Sequence, residues 1–410
     1  ASRLESALLP IWASVLDVAW VEPTDNFFDI GGHSLIASKL VAAISSELGL
    51  AVDVISLFDA PTPRTLARAL SRALAPSPSA PPAAGGGSGG ALQQPIAIVG
   101  MAGRFPGADS LDAFWELLVR GGDALTLWSP AQLAAKKVSA QVYGHPRYVP
   151  AAYMVSGAEH FDAAFWSVAP HEALIIDPQH RLFMEVAWAA FEHAGYAPRT
   201  STPRRTAVVA APGIDGYMHH HLRSAPLLDA LAPADIFLGE LGSEKDYMAT
   251  RVSYALDLMG PSYTVNSACS SALAAVAQAA QAILFGQAEL ALAGGSALSF
   301  PNQGYLFEDG LVSSKDGRVR PFDARAHGTV FGDAVGAVVL KPLEVAEQAA
   351  DRVWSIVRAS AVSNDGASKA GYAAPGVAGQ REAIRAALAI AGVTPGSLIA
   401  VECHATGTLI

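Results

Sequence analysis

The chain has 410 residues, 51% hydrophobic and 16% charged, which gives room for two or three folded domains and excludes a disordered protein. A formal charge of −10 argues against a nucleic-acid partner, which calls for a basic face, and no apolar run reaches the length of a membrane span. Two cysteines, Cys269 and Cys403, are too few for a disulfide framework, and the N-terminus lacks a secretion signal, so a reducing, cytoplasmic setting is expected.

Residues 1–74 read as a small all-α bundle of three or four helices. Apolar residues recur at helical spacing over Leu4–Leu16, and Ile36, Leu40, Ile44 and Leu48 share one face of a helix that begins near Ser34. A last helix is predicted over Pro63–Leu74. Between the first two lies DNFFDIGGHSL, residues 25–35. Gly31 and Gly32 permit a tight turn, and Ser34 then sits at a helix N-terminus. From the residues alone, an ordinary N-cap is the reading of a serine there. His33 reads as a surface recognition residue, and the domain is mildly acidic, with five Lys or Arg against eight Asp or Glu.

Residues 75–94 (APSPSAPPAAGGGSGGALQQ) carry no charge and form a Pro-rich then Gly-rich linker. As flexible coil it spans roughly 25 Å, enough for the first domain to swing.

From residue 95 onward strands and helices alternate, which predicts a layered α/β domain. Strands are expected over Pro95–Met101, Arg204–Ala211, Ser262–Ser267, Glu289–Ala293, Gly328–Leu340 and Arg352–Ser360. Helices are expected over Leu111–Arg120, Asp177–Ala194 and Ser270–Phe285. In GPSYTVNSACSSALAAV, residues 260–276, the strand gives way to an Ala-rich helix at Ala268-Cys269-Ser270. A thiol at a helix mouth is placed where the dipole favours a thiolate, and neighbouring backbone N–H groups offer an oxyanion hole. The residues alone leave a nucleophile and an inert buried cysteine both open. Cys403 and His404, on an expected strand, would face opposite ways, and core packing is the reading of Cys403. His219-His220-His221 reads as a variable surface loop, because three consecutive residues cannot face one metal ion from a helix or strand. No metal site is expected, and the Gly pairs lack the spacing of a phosphate loop.

The string Asp25–Leu35 resembles the 4′-phosphopantetheine attachment motif of acyl and peptidyl carrier proteins, with His33 pointing to the peptidyl carriers. The resemblance implies covalent 4′-phosphopantetheine on Ser34, placed there by a phosphopantetheinyl transferase. Residues 260–276 resemble the nucleophile motif of β-ketoacyl synthases, the condensing domains of polyketide synthases, with Ser267 where Thr is usual. PIAIVGMAGRFPGA (95–108), DPQHRLFMEVAWAAFEHAGY (177–196), GRVRPFDARAHGTVFGDAVGAVVLK (317–341) and ECHATGT (402–408) match further family stretches in order, and residues 245–262 are similar to the subtype at peptide–polyketide junctions.

This resemblance implies an α/β thiolase-like fold (layered αβαβα) over residues 95–410, truncated before a further histidine, a lysine and a terminal glycine-rich loop. It implies Cys269 as nucleophile, His404 as hydrogen-bond donor in decarboxylation, and Thr406 and Thr408 as contacts to the pantetheine arm. The implied function is that of the carrier–ketosynthase portion of a modular polyketide or hybrid peptide–polyketide synthase. An acyl or aminoacyl thioester passes from the carrier to Cys269 and condenses with a malonyl-type extender on a downstream carrier, in a homodimer formed through the ketosynthase. A non-elongating transacylase and a non-catalytic docking or dimerisation scaffold are the alternatives.

Overall fold

The computed structural model describes residues 2–32, 34–50, 52, 56–57, 60–74, 94–224, 233–367, 369 and 374–408. His33 and residues 75–93 of the expected linker lie outside them. The chain divides into two compact units, residues 2–74 with 360–399, and residues 94–359 with 400–408.

In the first unit, α1 (Ser2–Leu16), α2 (Ser34–Leu48) and α3 (Pro63–Leu74) enclose a core of their own. Leu8, Ile11 and Trp12 come from α1, Ala37, Leu40 and Ile44 from α2, and Leu66, Ala67 and Leu70 from α3, each set at three- and four-residue spacing. Phe27 seals this core from the loop, edge-on to Trp12 at 5.4 Å. A fully buried Phe or Leu side chain stabilises the fold by about 1.5–3 kcal/mol, so this loop is held by its own aromatic residue.

The second unit is built on a six-stranded mixed sheet. Its strands are β1 (Ile96–Arg104), β2 (Thr206–Pro212), β3 (Ser262–Thr264), β4 (Leu290–Ala297), β5 (Ala334–Pro342) and β6 (Ser355–Val357), in the order β6-β1-β5-β4-β2-β3. β2 runs parallel to β3 and β4, whereas β5 is antiparallel to β1 and β4. Alternate residues of the central strands serve opposite cores. Val208, Ala210, Leu290 and Leu292 pack with helices α5 (Pro178–His193) and α6 (Met248–Leu256). Ala207, Val209, Ala291 and Ala293 pack with α7 (Ser271–Leu284) on the other face. Helix α4 (Leu111–Val119) follows β1 and buries only Leu117. Burial on both faces explains why β2 and β4 read as unbroken apolar runs.

Several sequence expectations change: the strand expected over Ser262–Ser267 ends at Thr264, and the one expected over Glu289–Ala293 runs on to Ala297. The strand predicted from Gly328 starts only at Ala334, because Gly328 has φ +137° and Asp333 turns its carboxylate back to cap neighbouring loops. The strand predicted over Arg352–Ser360 contracts to Ser355–Val357, which among the described residues pairs only with β1 at the sheet edge. The histidine triplet is not a loop: His219–His221 lie in a π-helical turn, Met218–Leu222, with all three rings exposed.

Candidate active site

Two parallel neighbours, β2 and β4, end side by side at Pro212 and Ser296, and β3 stops level with Ala210. The chain leaving β3 stays on this edge, Val265 N–H donating to Ala210 at 2.9 Å, and reaches Cys269 in a single 3-10 turn, Ala268–Ser270, just before α7. Clefts of open α/β sheets lie at this carboxyl edge of parallel strands, where loops diverge.

The turn is held by its serines. Ser267 N–H donates to Ser271 Oγ at 2.8 Å, and Ser271 Oγ donates to the Ala268 carbonyl at 2.7 Å. Ser270 Oγ donates to the Ser267 carbonyl at 2.8 Å. Between them Ala268 adopts φ +52°, a left-handed conformation that a residue with a Cβ takes only when its surroundings impose it. The result is an exposed Cys269 at the mouth of α7.

The second segment, Glu402–Thr408, is anchored through Gly407. Gly328 N–H donates to the Gly407 carbonyl at 2.8 Å, and a Cβ on Gly407 would lie 3.1 Å from Arg320 N. The loop it leans on is cross-braced: Asp316 is gripped by Arg320 at 2.9 Å and His327 at 3.3 Å. Burial pulls the Asp316 pKa upward, but Arg320, the Arg318 N–H, Ser314 and His327 outweigh it and hold the carboxyl far below the usual range. Since residue 297 on β4 pairs with residue 334 on β5, the loop before β5 emerges at the same edge as Cys269. His404 is exposed, followed by Ala405 at φ +46°, and the Thr406 and Thr408 hydroxyls are 3.1 Å apart. No hydrogen bond joins Cys269 to His404 among the described residues. Cys403 is exposed, contrary to the expected core position, because residues 400–404 pair with no strand of the described sheet.

Two buried side chains that the sequence reading passed over shape this edge. Gln179, 3% exposed, accepts from Gly213 N–H at 3.0 Å and donates to the Ile214 carbonyl at 2.9 Å. Asp333, 6% exposed, accepts from Ser299 N–H at 2.7 Å and Val155 N–H at 3.3 Å. Burial raises the Asp333 pKa against these donors. Asp177, N-cap of α5, is pushed up to about 6 by burial, which outweighs its bonds from Gln179 and the nearby Arg181. A signal existed for Gln179, which directly follows the Asp-Pro start of a helix; none existed for Asp333.

In the first unit the attachment loop has a clear steric logic. Gly31 sits at φ +101°, and a Cβ on Gly32 would fall 2.4 Å from the Phe27 ring and carbonyl. Gly32 N–H donates to that carbonyl at 2.8 Å, so the loop folds back on Phe27 and Ser34 becomes the first residue of α2. That backbone suits a phosphate diester, which a helix N-terminus favours. Among the described residues no group of histidines, cysteines and carboxylates could hold a metal ion, and no helix is long and apolar enough to cross a membrane.

Comparison with known proteins agrees with these two units. The N-terminal domain of β-ketoacyl synthases matches residues 93–346, their C-terminal domain matches 354–410, and a phosphopantetheine attachment site matches 6–70. A phenolphthiocerol/phthiocerol polyketide synthase polypeptide of Mycobacterium tuberculosis is 44% identical over 76% of this chain, and a hybrid polyketide–nonribosomal peptide synthetase of Cordyceps militaris is 34% identical over all of it. The chain spans only 21% and 26% of those two proteins. Among solved structures, ketosynthase twelve of the bacillaene polyketide synthase of Bacillus amyloliquefaciens aligns with TM-score 0.71 and 33% identity, covering 77% of this chain and 55% of that one. The thiolase-like sheet, the turn that lifts Cys269 and the joint match of all three domains lead to one conclusion: the chain belongs to the β-ketoacyl synthase family of polyketide synthases and carries a phosphopantetheine-binding domain ahead of the ketosynthase.

Proposed function

We propose that Cys269 accepts an acyl or aminoacyl group from a carrier thioester and holds it for decarboxylative condensation with a malonyl-type extender. The observation that carries this reading is the exposed thiol at the mouth of α7, lifted by a left-handed Ala268 at the carboxyl edge of parallel strands. Bound to Ser34, a 4′-phosphopantetheine arm would supply the thiol on which the acyl group arrives. The Cys269 sulfur attacks the thioester carbonyl, forming a new C–S bond while the incoming C–S bond breaks and the departing thiolate takes up a proton. Backbone N–H groups at the turn are the donors for the transient oxyanion. In the second half-reaction the extender loses CO2, its carbanion attacks the Cys269 thioester, and the Cys269 thiolate leaves. His404 donates a hydrogen bond to the developing enolate, and Thr406 and Thr408 line the approach of the arm.

The domain division that goes with this reading is a carrier over 1–74, a linker over 75–94 and a ketosynthase over 95–410. The segment acts in the cytoplasm, with a phosphopantetheinyl transferase as modifying partner and a downstream carrier as extender donor. Dimerisation through the ketosynthase is supported by β3, which lies at the edge of the sheet among the described residues and leaves Tyr263 38% exposed. A hybrid peptide–polyketide setting is supported by the similarity to a hybrid synthetase.

The test is intact-mass spectrometry of the full chain after enzymatic pantetheinylation with an acyl-coenzyme A. Ser34→Ala should abolish the first mass gain. Cys269→Ala should leave the acyl group on the carrier and remove acylation of the ketosynthase tryptic peptides. Transfer that survives Cys269→Ala would overturn the nucleophile assignment.

A further inference from the structure

The loops that follow β2 and β4 carry an aromatic cluster that the condensation chemistry leaves unused. Tyr217 and His221 stand 4.7 Å apart on the β2 side, and Phe300 from the β4 loop meets both edge-on, at 5.4 Å and 6.0 Å. The cluster is rigidly backed. Gln179 fastens the loop at Gly213 and Ile214, Asp333 fastens the other at Ser299, and the Tyr217 hydroxyl donates to the Leu174 carbonyl at 2.6 Å. Tyr217, only 9% exposed, therefore backs the cluster from within, its hydroxyl turned away. The outward part is open: Phe300 is 38% exposed, Ile214 is 76% exposed and His221 is exposed. A π-helical turn is a rare local geometry concentrated at functional sites. Here it separates the three histidines, sending His219 to Asp215 at 3.3 Å while His221 joins the aromatic pair.

We propose that Tyr217, His221 and Phe300, with Ile214, form the acyl-recognition wall of the Cys269 site, and that it selects thioesters with a flat aromatic or conjugated acyl group over flexible saturated chains. This rests on the reading of Cys269 as acyl acceptor. β2 lies between β4 and β3, so both loops leave the sheet on the edge from which Cys269 rises. A flat acyl group extends an existing edge-to-face packing, an interaction beyond area burial that amounts to roughly a two- to tenfold preference. A saturated chain of equal area gains only the burial.

The experiment compares benzoyl and hexanoyl thioesters of N-acetylcysteamine on the full chain, with loading of Cys269 read by intact mass. The unmutated protein should favour benzoyl. Phe300→Leu and His221→Ala should each cut the benzoyl-to-hexanoyl ratio by roughly two- to tenfold, benzoyl loading falling more than hexanoyl loading. An unchanged ratio in both variants would overturn the wall. The same two ligands are titrated calorimetrically into Cys269→Ala, which reads the wall without the nucleophile. A benzoyl preference in this variant that Phe300→Leu removes, while the unmutated chain shows no loading at Cys269, supports the wall and sinks the nucleophile; equal affinities overturn the wall alone.

Discussion

Ser271→Ala tests whether the turn under Cys269 is held by strain that its neighbours impose. The hydroxyl is buried, accepts from Ser267 N–H at 2.8 Å and donates to the Ala268 carbonyl at 2.7 Å. Its removal deletes both bonds at once. At about 1 kcal/mol net for each, the turn loses about 2 kcal/mol. The left-handed backbone of Ala268 itself costs about 1–2 kcal/mol, so the clamp and the strain are nearly balanced and its loss lets the turn relax. For a domain of this size about 2 kcal/mol lowers the melting temperature by roughly 4–8 °C. If the whole loss falls on the geometry that presents the sulfur, acyl loading slows by roughly thirtyfold. Differential scanning calorimetry and time-resolved intact mass measure the two effects. Ala268→Gly supplies the control, since glycine adopts φ +52° without penalty and should restore part of the stability to the Ser271→Ala chain. A Ser271→Ala protein that melts and loads like the parent would refute the proposed link between this clamp and the nucleophile.

Three further outcomes follow from other parts of the fold. Gly32→Ala drives a Cβ into Phe27 at 2.4 Å and should cost about 1–3 kcal/mol, visible as a lowered melting transition of the first unit and slower pantetheinylation of Ser34. Asp177, with its pKa raised to about 6, binds its proton more tightly when folded than when unfolded, so the native state loses stability as pH rises from about 4 to 6. The full penalty, about 3 kcal/mol by that displacement, is present above pH 6; Asp177→Asn should therefore raise the melting temperature at pH 7.5 and give little gain at pH 4, and a gain that grows toward acid would contradict this sign. Lys341 bonds Asp351 at 2.5 Å and the Tyr196 hydroxyl at 2.8 Å. Lys341→Met alone should cost about 3 kcal/mol by leaving the carboxylate without its cation, held by the Tyr196 hydroxyl at 3.2 Å, and adding Asp351→Leu should recover most of it in chemical denaturation.

Much of the fold was legible because burial pattern and period agree. The strand β2 and the helix α5, which begins at an Asp-Pro that caps itself, were predictable within a residue or two, and β4 was predictable at its start but runs four residues past its expected end. The attachment loop was legible too, since Gly31 and Gly32 answer two separate needs, a positive φ and a space that Phe27 already fills. What escaped was set by distant partners. Nothing local to Asp333 announces that it caps loops from Val155 and Ser299, and that role is what delays the start of β5. Cys403 was expected in a core on strand logic, yet residues 400–404 find no sheet partner among the described residues, so alternation had no face to act on. The histidine triplet was read as surface, which it is, but its π-helical turn has neither period used to read the sequence. Ala268 gives no hint of its conformation, although Ser267 and Ser271, four apart, are the pair that clamps it.

The most direct measurement is peptide-level mapping of the acyl group after brief exposure of the full chain to a simple acyl thioester. Both thiols are exposed, so Cys403 serves as an internal control for reactivity that access alone would give. The acyl mark should appear on the peptide containing Cys269, with Cys403 essentially unmodified. Equal marking of the two cysteines, or marking of Cys403 alone, would contradict a nucleophile placed by the fold.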